Sequence, residues 1–227
     1  MDHEYIFATA AIRNASNCKE ILERVDKEVD VNIDLIEGKR EAILGVSAIR
    51  EEYKFKDGII IDIGGGSSEI TIIDNDEIIY EDSVPIGSLS AYRDYVKNLF
   101  VTQNEKKNIK KAVREQMEKM NIPKVKKSYS AYGIGGTIRL AGNMSSEIYD
   151  GKSSKLIVRK DLKDMINQLI DTDMEYVNTL LQVNASRIHT AIPGFIILNT
   201  IMKTLSIDEI NISDKGIREG YLLSKIN

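Results

Sequence analysis

The sequence predicts an α/β fold built on a mixed β-sheet flanked by helices, and three observations predict it. Short β-branched runs such as IIIDI (59–63) and ITIID (70–74) have the length of buried strands. Longer stretches such as GKREAILGVSAIREEY (38–53) place Ala42, Leu44, Val46 and Ile49 on a helical stripe. The two kinds alternate along most of the chain, but three strands follow one another around a triple glycine, so the sheet must mix parallel and antiparallel pairs.

Taken in order, EYIFATA (4–10) reads as a strand, NASNCKEILERVDKEV (14–29) as a helix with a polar start, and VNIDLI (31–36) as a strand. After the helix at 38–53 come GIIIDI, SEITIID and IIYEDSVPIG, the last two joined by a tight Asp-Asn-Asp turn. Residues from Gly87 to about Met120 are helical with a polar break near Thr102–Asn104. SYSAYGIGG (128–136) is a strand, followed by a helix from Thr137. Residues 160–182 read as two short polar helices, and ASRIHTAIPGFIILNTIMKTL (185–205) as a long apolar helix interrupted at its Pro-Gly. IDEINIS (207–213) is a last strand and DKGIREGYLLSKI (214–226) a last helix.

Composition narrows the function classes. A net charge of −4 argues against an electrostatic nucleic-acid binder, so KKNIKK (106–111) and KVKK (124–127) read as a solvated helix face and its exit loop. The one cysteine, Cys18, excludes an internal disulfide and reads as a buried thiol in a reducing compartment. The N-terminus MDHEYIFATA carries acids where a leader carries lysines, and no run approaches the ~20 apolar residues of a membrane span. The expectation is a cytoplasmic protein with no membrane and no nucleic-acid partner.

The chemistry concentrates at IIIDIGGGSSEITIIDND (59–76). A dinucleotide fold follows its glycines with a helix and a P-loop with Gly-Lys-Ser/Thr; here a strand follows, so neither applies. In a glycine hairpin, successive backbone N–H groups can line an anion-binding concavity, with Gly64, Gly65 and Gly66 leaving the backbone bare. Ser67 and Ser68 can add hydroxyl donors. Asp62 and Glu69 bring carboxylates beside the anion, which calls for a hard cation such as Mg²⁺ between them. The competing explanation is a tight turn that needs positive φ, for which one or two glycines suffice. A second loop, GIGGT (133–137), precedes a helix whose free N–H groups can also hold phosphate at Gly135 and Gly136, with Thr137 as cap and donor.

IDIGGGSSE, YGIGGTIR, FATAAIRNASN and IEGKREAILGV follow in order the motifs of exopolyphosphatase/guanosine pentaphosphate phosphohydrolases (Ppx/GppA), which the chain resembles over nearly its full length. SRIHTAIPGFIILNTIM and ISDKGIREGYL are similar to the end of that family's second domain. The resemblance implies the actin-like ATPase (ribonuclease H-like) fold, with residues 1–55 a partial first domain and 56–227 a second domain carrying the phosphate loops. It implies Mg²⁺-dependent hydrolysis of terminal phosphates from polyphosphate or guanosine pentaphosphate. Glu41 falls where the family has its water-orienting base, Asp62 and Glu69 where it has metal-side carboxylates, and Gly64, Gly65, Gly66 and Ser67 where it has its glycine loop. Gly135, Gly136 and Thr137 match the second glycine motif, and Arg13 matches an arginine expected on phosphate.

Two departures stand out. The family's opening Asp-x-Gly-Ser-Asn-Ser loop has no counterpart in these 227 residues, and Lys39 and Arg40 replace residues usually acidic in the family. The first departure leaves residues 1–50 without the strands they would pair with, so an exposed apolar face and self-association through it are expected. A truncated, non-catalytic phosphate- or nucleotide-binding module is therefore the second hypothesis, and sugar- or acetate-kinase-like phosphotransfer a third.

Overall fold

This computed structural model describes residues 4–126 and 128–226. Met1–His3, Lys127 of the second basic cluster, and Asn227 lie outside the described residues. The chain divides into two compact units, Tyr53–Asp214 on one hand and the residues up to Glu52 with those from Lys215 onward on the other. The division thus falls three residues before the expected one. The C-terminal helix, expected in the second domain, belongs to the first unit.

In the first unit, β1 (Phe7–Ala8) leads into α1 (Ala10–Arg13) and α2 (Cys18–Val29), and β2 (Asp34–Leu35) leads into α3 (Gly38–Arg50). The two strands are parallel and two residues each, much shorter than the apolar runs that mark them. α3 buries Leu44, Gly45, Val46, Ala48 and Ile49, so Ala42 of the expected stripe is only half-buried. α2 has no buried residue, and Cys18 at its start is half-exposed, not the buried thiol expected. Tyr5, Ile6, Val29 and Ile43 remain exposed.

The second unit holds a six-stranded sheet. β3 (Gly58–Ile63), β4 (Ser68–Asp74) and β5 (Glu77–Val84) form an antiparallel meander, followed by α4 (Ser88–Tyr95) and α5 (Gln103–Lys119). The turn between β4 and β5 places Asn75 and Asp76 at φ 51° and 69°, the two positive values a type I′ hairpin requires. Then come β6 (Ser130–Ile134), α6 (Gly136–Ile148), β7 (Leu156–Val158), α7 (Arg159–Ile170), α8 (Met174–Asn184), α9 (Ile188–Thr204) and β8 (Glu209–Ile212). The strand order is β5-β4-β3-β6-β8-β7, with β3/β6 and β6/β8 parallel, so the mixed sheet flanked by helices is present. The last helix, α10 (Ile217–Ile226), returns to the first unit, where Tyr221 joins Ile36 and Leu44 in a small core.

β3 and β4 are buried almost throughout because the sheet is covered, and the half-buried residues within them are acids: Asp62 and Glu69 at the loop end, Asp74 at the other. Thr102 caps α5 by accepting the Glu105 N–H, and the Glu105 carboxylate returns the favour to the Thr102 N–H at 2.8 Å. Contrary to expectation, Pro193 does not interrupt α9. The helix runs through it with every residue from Thr190 to Met202 buried, giving up only the amide bond to the His189 carbonyl. Among the described residues no helix is long and apolar enough to cross a membrane.

Candidate functional site

Asp62 of β3 is in register with Ile134 of β6, and the two strands run parallel. The loops that leave them, Gly64–Ser67 and Gly135–Gly136, therefore emerge side by side at the carboxyl end of the sheet, where α/β folds place ligands. A cleft of about 440 Å³ opens there, lined by Asp62, Gly64, Gly65, Gly135 and Gly136 and, from the approach to α9, by Arg187 and His189.

The first loop is defined by where its carbonyls go. The Gly64 carbonyl accepts the Ser88 N–H at 2.9 Å and the Ser88 hydroxyl at 3.1 Å. The Gly65 carbonyl accepts the N–H groups of Leu89 and Ser90, both at 2.9 Å, and the Gly66 carbonyl accepts the Ser90 hydroxyl at 3.3 Å. These bonds satisfy the orphan donors at the start of α4. Among the described residues every peptide is trans, so each N–H points opposite to the carbonyl of its own peptide unit. The amides of Gly65, Gly66 and Ser67 are thereby turned away from α4, and among the described residues no protein acceptor takes them.

The fold itself does not demand glycine at the middle of this loop. None of Gly64, Gly65 and Gly66 has a positive φ, which removes the tight-turn explanation. A Cβ on Gly66 would meet nothing within 4 Å, and one on Gly65 would meet only the Leu89 Cβ at an ordinary 3.7 Å. Elsewhere the protein does make such demands. A Cβ on Gly87 would lie 2.5–2.6 Å from the Gly65 carbonyl and the Gly66 nitrogen, so the chain leading into α4 presses directly on the loop. Gly135 sits at φ 92°, ψ 164°, a region open to glycine alone, with Asp62 Oδ1 2.3 Å from where a Cβ would stand.

Several predicted residues take other positions. Ser68 is fully buried and donates its hydroxyl to the Ile86 carbonyl at 2.7 Å, so it is not a donor to the cleft. It alternates with Ser67 across the strand start, and alternate residues face opposite sides of a sheet. Ser67 donates to the Glu69 carboxylate, as does Ser83 at 3.1 Å. Thr137 does not cap α6. Gly135 is the cap residue with no side-chain bond, and Thr137 is buried with its methyl against Gly194.

Arg13 and Glu41, both in the first unit, find each other. Arg13 Nη1 lies 2.9 Å from Glu41 Oε2 and also donates to the Ile36 carbonyl, so the guanidinium expected on phosphate is engaged with protein. Glu41 lies in the first turn of α3, where the helix's positive end favours a carboxylate. Its side chain is 13% exposed. Asp34 performs a parallel task nearby. The Arg40 guanidinium bonded to it holds its carboxyl below the usual range against the opposing effect of burial, and Tyr221 donates to it at 2.8 Å. Arg40, noted for replacing an acid, thus has a structural partner.

Arg187 was missed from sequence. Its guanidinium lies over Gly136, with Nη2 2.2 Å from the point a Cβ would occupy, and it has no acidic partner among the described residues. A half-buried arginine without a counter-ion beside two glycine loops is a ready anion contact. Its only sequence signal was a lone basic residue at the head of an apolar helix, fifty residues from the loop it covers. His189 stands edge-on to Tyr92 at 5.2 Å.

For a cation, the donor set is Asp62 and Glu69, direct partners across β3 and β4 whose side chains share one face. No group of three or more His, Cys, Asp or Glu able to hold a metal occurs among the described residues. Two carboxylates with the remaining positions left to water and phosphate oxygens suit Mg²⁺ better than a metal that needs an all-protein cage. The residues present fit the ion.

The model of the Ppx/GppA phosphatase family matches residues 5–227. Among curated relatives, a bifunctional 3-dehydroquinate synthase/phosphatase of Fusobacterium nucleatum is 26% identical over 97% of this chain and 34% of its own. Exopolyphosphatase 1 of Mycobacterium bovis is 24% identical over 97% of this chain and 66% of its own. A guanosine-5'-triphosphate,3'-diphosphate pyrophosphatase of Aeromonas hydrophila is 24% identical, again over 97% of this chain and 44% of its own. The chain therefore spans between one third and two thirds of the length of these three relatives. Among solved structures, the Aquifex aeolicus member of the same family superposes with a TM-score of 0.80 at 25% identity, covering 98% of this chain and 73% of that one. The mixed sheet and its helices are thus of the actin-like ATPase type found in that family.

Proposed function

Because this chain belongs to the Ppx/GppA phosphatase family, we propose that it acts as a phosphoanhydride hydrolase on the terminal phosphate of polyphosphate or guanosine pentaphosphate. The observation that carries this reading is the Gly64–Ser67 loop: the three successive amides of Gly65, Gly66 and Ser67 have no protein acceptor among the described residues, and neither φ nor space requires glycine at Gly65 and Gly66. Fixed N–H donors aimed where phosphate charge grows cost no reorganisation during reaction, which is the main source of stabilisation in phosphoryl transfer. Arg187 and the amides at the start of α6 supply further positive potential at the same cleft.

Asp62 and Glu69 would hold Mg²⁺, which supplies charge neutralisation at the phosphate oxygens when bound. The serine hydroxyls on Glu69 keep that carboxylate oriented. Glu41 is assigned the family's role of orienting the attacking water, and Arg13 is its positioning residue through the 2.9 Å ion pair. Phosphate release from tripolyphosphate, long-chain polyphosphate and guanosine pentaphosphate, measured for wild type and Glu41→Ala, tests the assignment. Loss of release in the variant is expected; equal rates would remove Glu41 from the mechanism.

A second reading, a phosphate-binding module without turnover, is favoured by one observation: the Glu41 carboxylate is already committed to Arg13. It predicts thermal stabilisation by phosphate or polyphosphate with no release from any of the three substrates. Self-association through the exposed apolar side chains of the first unit belongs to either reading, and light scattering on the purified chain tests it.

A further inference from the structure

The phosphate-gripping groups occupy only part of the cleft wall. Leu89 of α4 and His189 of α9 line the same cleft. Leu89 is 53% exposed and, among the exposed large hydrophobic side chains of the described residues, it alone lines this cleft. Tyr92 follows it by three residues on α4, which places both on one helix face. α4 packs against α9, and Tyr92 there meets His189 with ring centroids 5.2 Å apart and ring planes at 67°. In an edge-to-face pair of this kind, the ring that presents its edge keeps both of its faces clear of the other. His189 is half-buried, and neither its ring nitrogens nor the Tyr92 hydroxyl has a hydrogen-bond partner among the described residues. An open apolar side chain, an aromatic pair and unused polar atoms thus stand beside the two glycine loops.

An inorganic phosphate chain presents charged oxygens along its whole length and gains nothing from a leucine or from the face of a ring. A nucleobase gains from both, because its flat faces stack on aromatic side chains, histidine included, and its edges carry donors and acceptors. We propose that Leu89, Tyr92 and His189 form a nucleobase seat, so that the cleft takes a nucleoside polyphosphate in preference to inorganic polyphosphate. The inference rests on the reading given under Proposed function and narrows its substrate to guanosine pentaphosphate. The cleft volume of about 440 Å³ falls within the ~300–1,000 Å³ of sites that enclose whole small molecules, more than one terminal phosphate needs. The competing use of His189 is a protonated imidazole on a phosphate oxygen beside Arg187. Tripolyphosphate, which has phosphates and no base, measures that use.

The test measures equilibrium binding of guanosine pentaphosphate and of tripolyphosphate to the full chain, with divalent cations chelated so that no turnover intervenes. Wild type is compared with His189→Ala and with His189→Phe, which restores a flat ring without the nitrogens. Leu89→Gln places a good helix former at an exposed position and carries the test by itself where a His189 variant fails to fold. Leu181→Gln on α8, exposed and outside the cleft lining, is the control. Wild type is expected to bind guanosine pentaphosphate more tightly than tripolyphosphate. His189→Ala should lose roughly fivefold to a hundredfold of the guanosine pentaphosphate affinity, the loss of one stacked base, while tripolyphosphate binding stays within about twofold of wild type. Leu89→Gln should show a smaller loss of the same selectivity, His189→Phe should recover most of it, and the control should show none. Equal loss of both ligands in His189→Ala makes His189 a phosphate contact and overturns the seat. So do unchanged affinities in His189→Ala and Leu89→Gln, a folded His189→Phe without recovery, or a wild type that binds guanosine pentaphosphate no tighter than tripolyphosphate. Phosphate release with Mg²⁺ is followed separately. Selective loss in a protein that releases phosphate from neither ligand supports the seat while sinking the hydrolase reading; release from both without selective loss sinks the seat alone.

Discussion

The two glycine loops look alike in sequence, yet the folded protein treats them differently. At the turn into α6, the protein accounts for its own glycines: Gly135 has a backbone conformation closed to other residues, and Gly136 lies under the Arg187 guanidinium. At the loop after β3, Gly65 and Gly66 have ordinary φ and open space before them. One loop is shaped by its own chain; the other is bare where its own chain does not require it. A glycine string therefore carries a functional signal only after the structural uses of glycine have been subtracted.

Substitutions can break or sharpen this contrast. The largest effect belongs to Gly135→Ala, which forces a Cβ into a glycine-only region, costing about 1–3 kcal/mol, and displaces Asp62 as well. Thermal denaturation is expected to show a marked drop together with loss of any shift on adding phosphate. Next is Gly87→Ala, whose new methyl meets the Gly65–Gly66 peptide at 2.5–2.6 Å and carries an overpacking cost of about 1–3 kcal/mol. It should lower the melting temperature and weaken phosphate binding, because the loop must move to make room. Ser68→Ala comes third, at about 1 kcal/mol, since it leaves the buried Ile86 carbonyl without its donor. Calorimetry should register that loss while phosphate affinity changes little, which would separate Ser68 from the donors of the loop.

Gly66→Ala has the smallest effect on stability and decides the most. With a compatible φ and no neighbour within 4 Å, it should leave the fold unchanged or about 0.4–1 kcal/mol more stable. On the proposed reading its phosphate-induced stabilisation should nevertheless shrink, because the methyl adds bulk beside the amides that have no protein acceptor. A variant that binds phosphate as well as wild type would make the two loops equivalent and dissolve the comparison.

Much of the architecture was legible beforehand. The triple-strand run, the tight Asp-Asn-Asp turn at 74–76 and the polar break near Thr102 all rest on local chemistry that a sequence displays. The misses arise where distant segments meet. β7 is three residues long and joins the sheet only because β8 offers an edge, so Leu156–Val158 carries no pattern of its own. Pro193 reads as a breaker until burial on every side holds α9 together. The α10 helix carries no mark telling which unit it will join. At the candidate site, the closeness of the glycines, Asp62 and Glu69 was readable because they are consecutive or register partners. Ser68 was misassigned because alternation along a strand, not proximity to the loop, decides which way a hydroxyl faces. Arg187 was invisible because its relation to Gly136 exists only after α9 has docked.

The attachment of the loop to α4 has one further implication. Each peptide from Gly64 to Ser67 is a small relay, with its oxygen on a donor of α4 and its hydrogen facing outward. An anion arriving on the hydrogens polarises those peptides and strengthens the grip of their oxygens. The amides of Ser88, Leu89 and Ser90 should then exchange with solvent deuterium more slowly once the outer face is occupied, so that the start of α4 reports the ligand's arrival through the peptides of the loop.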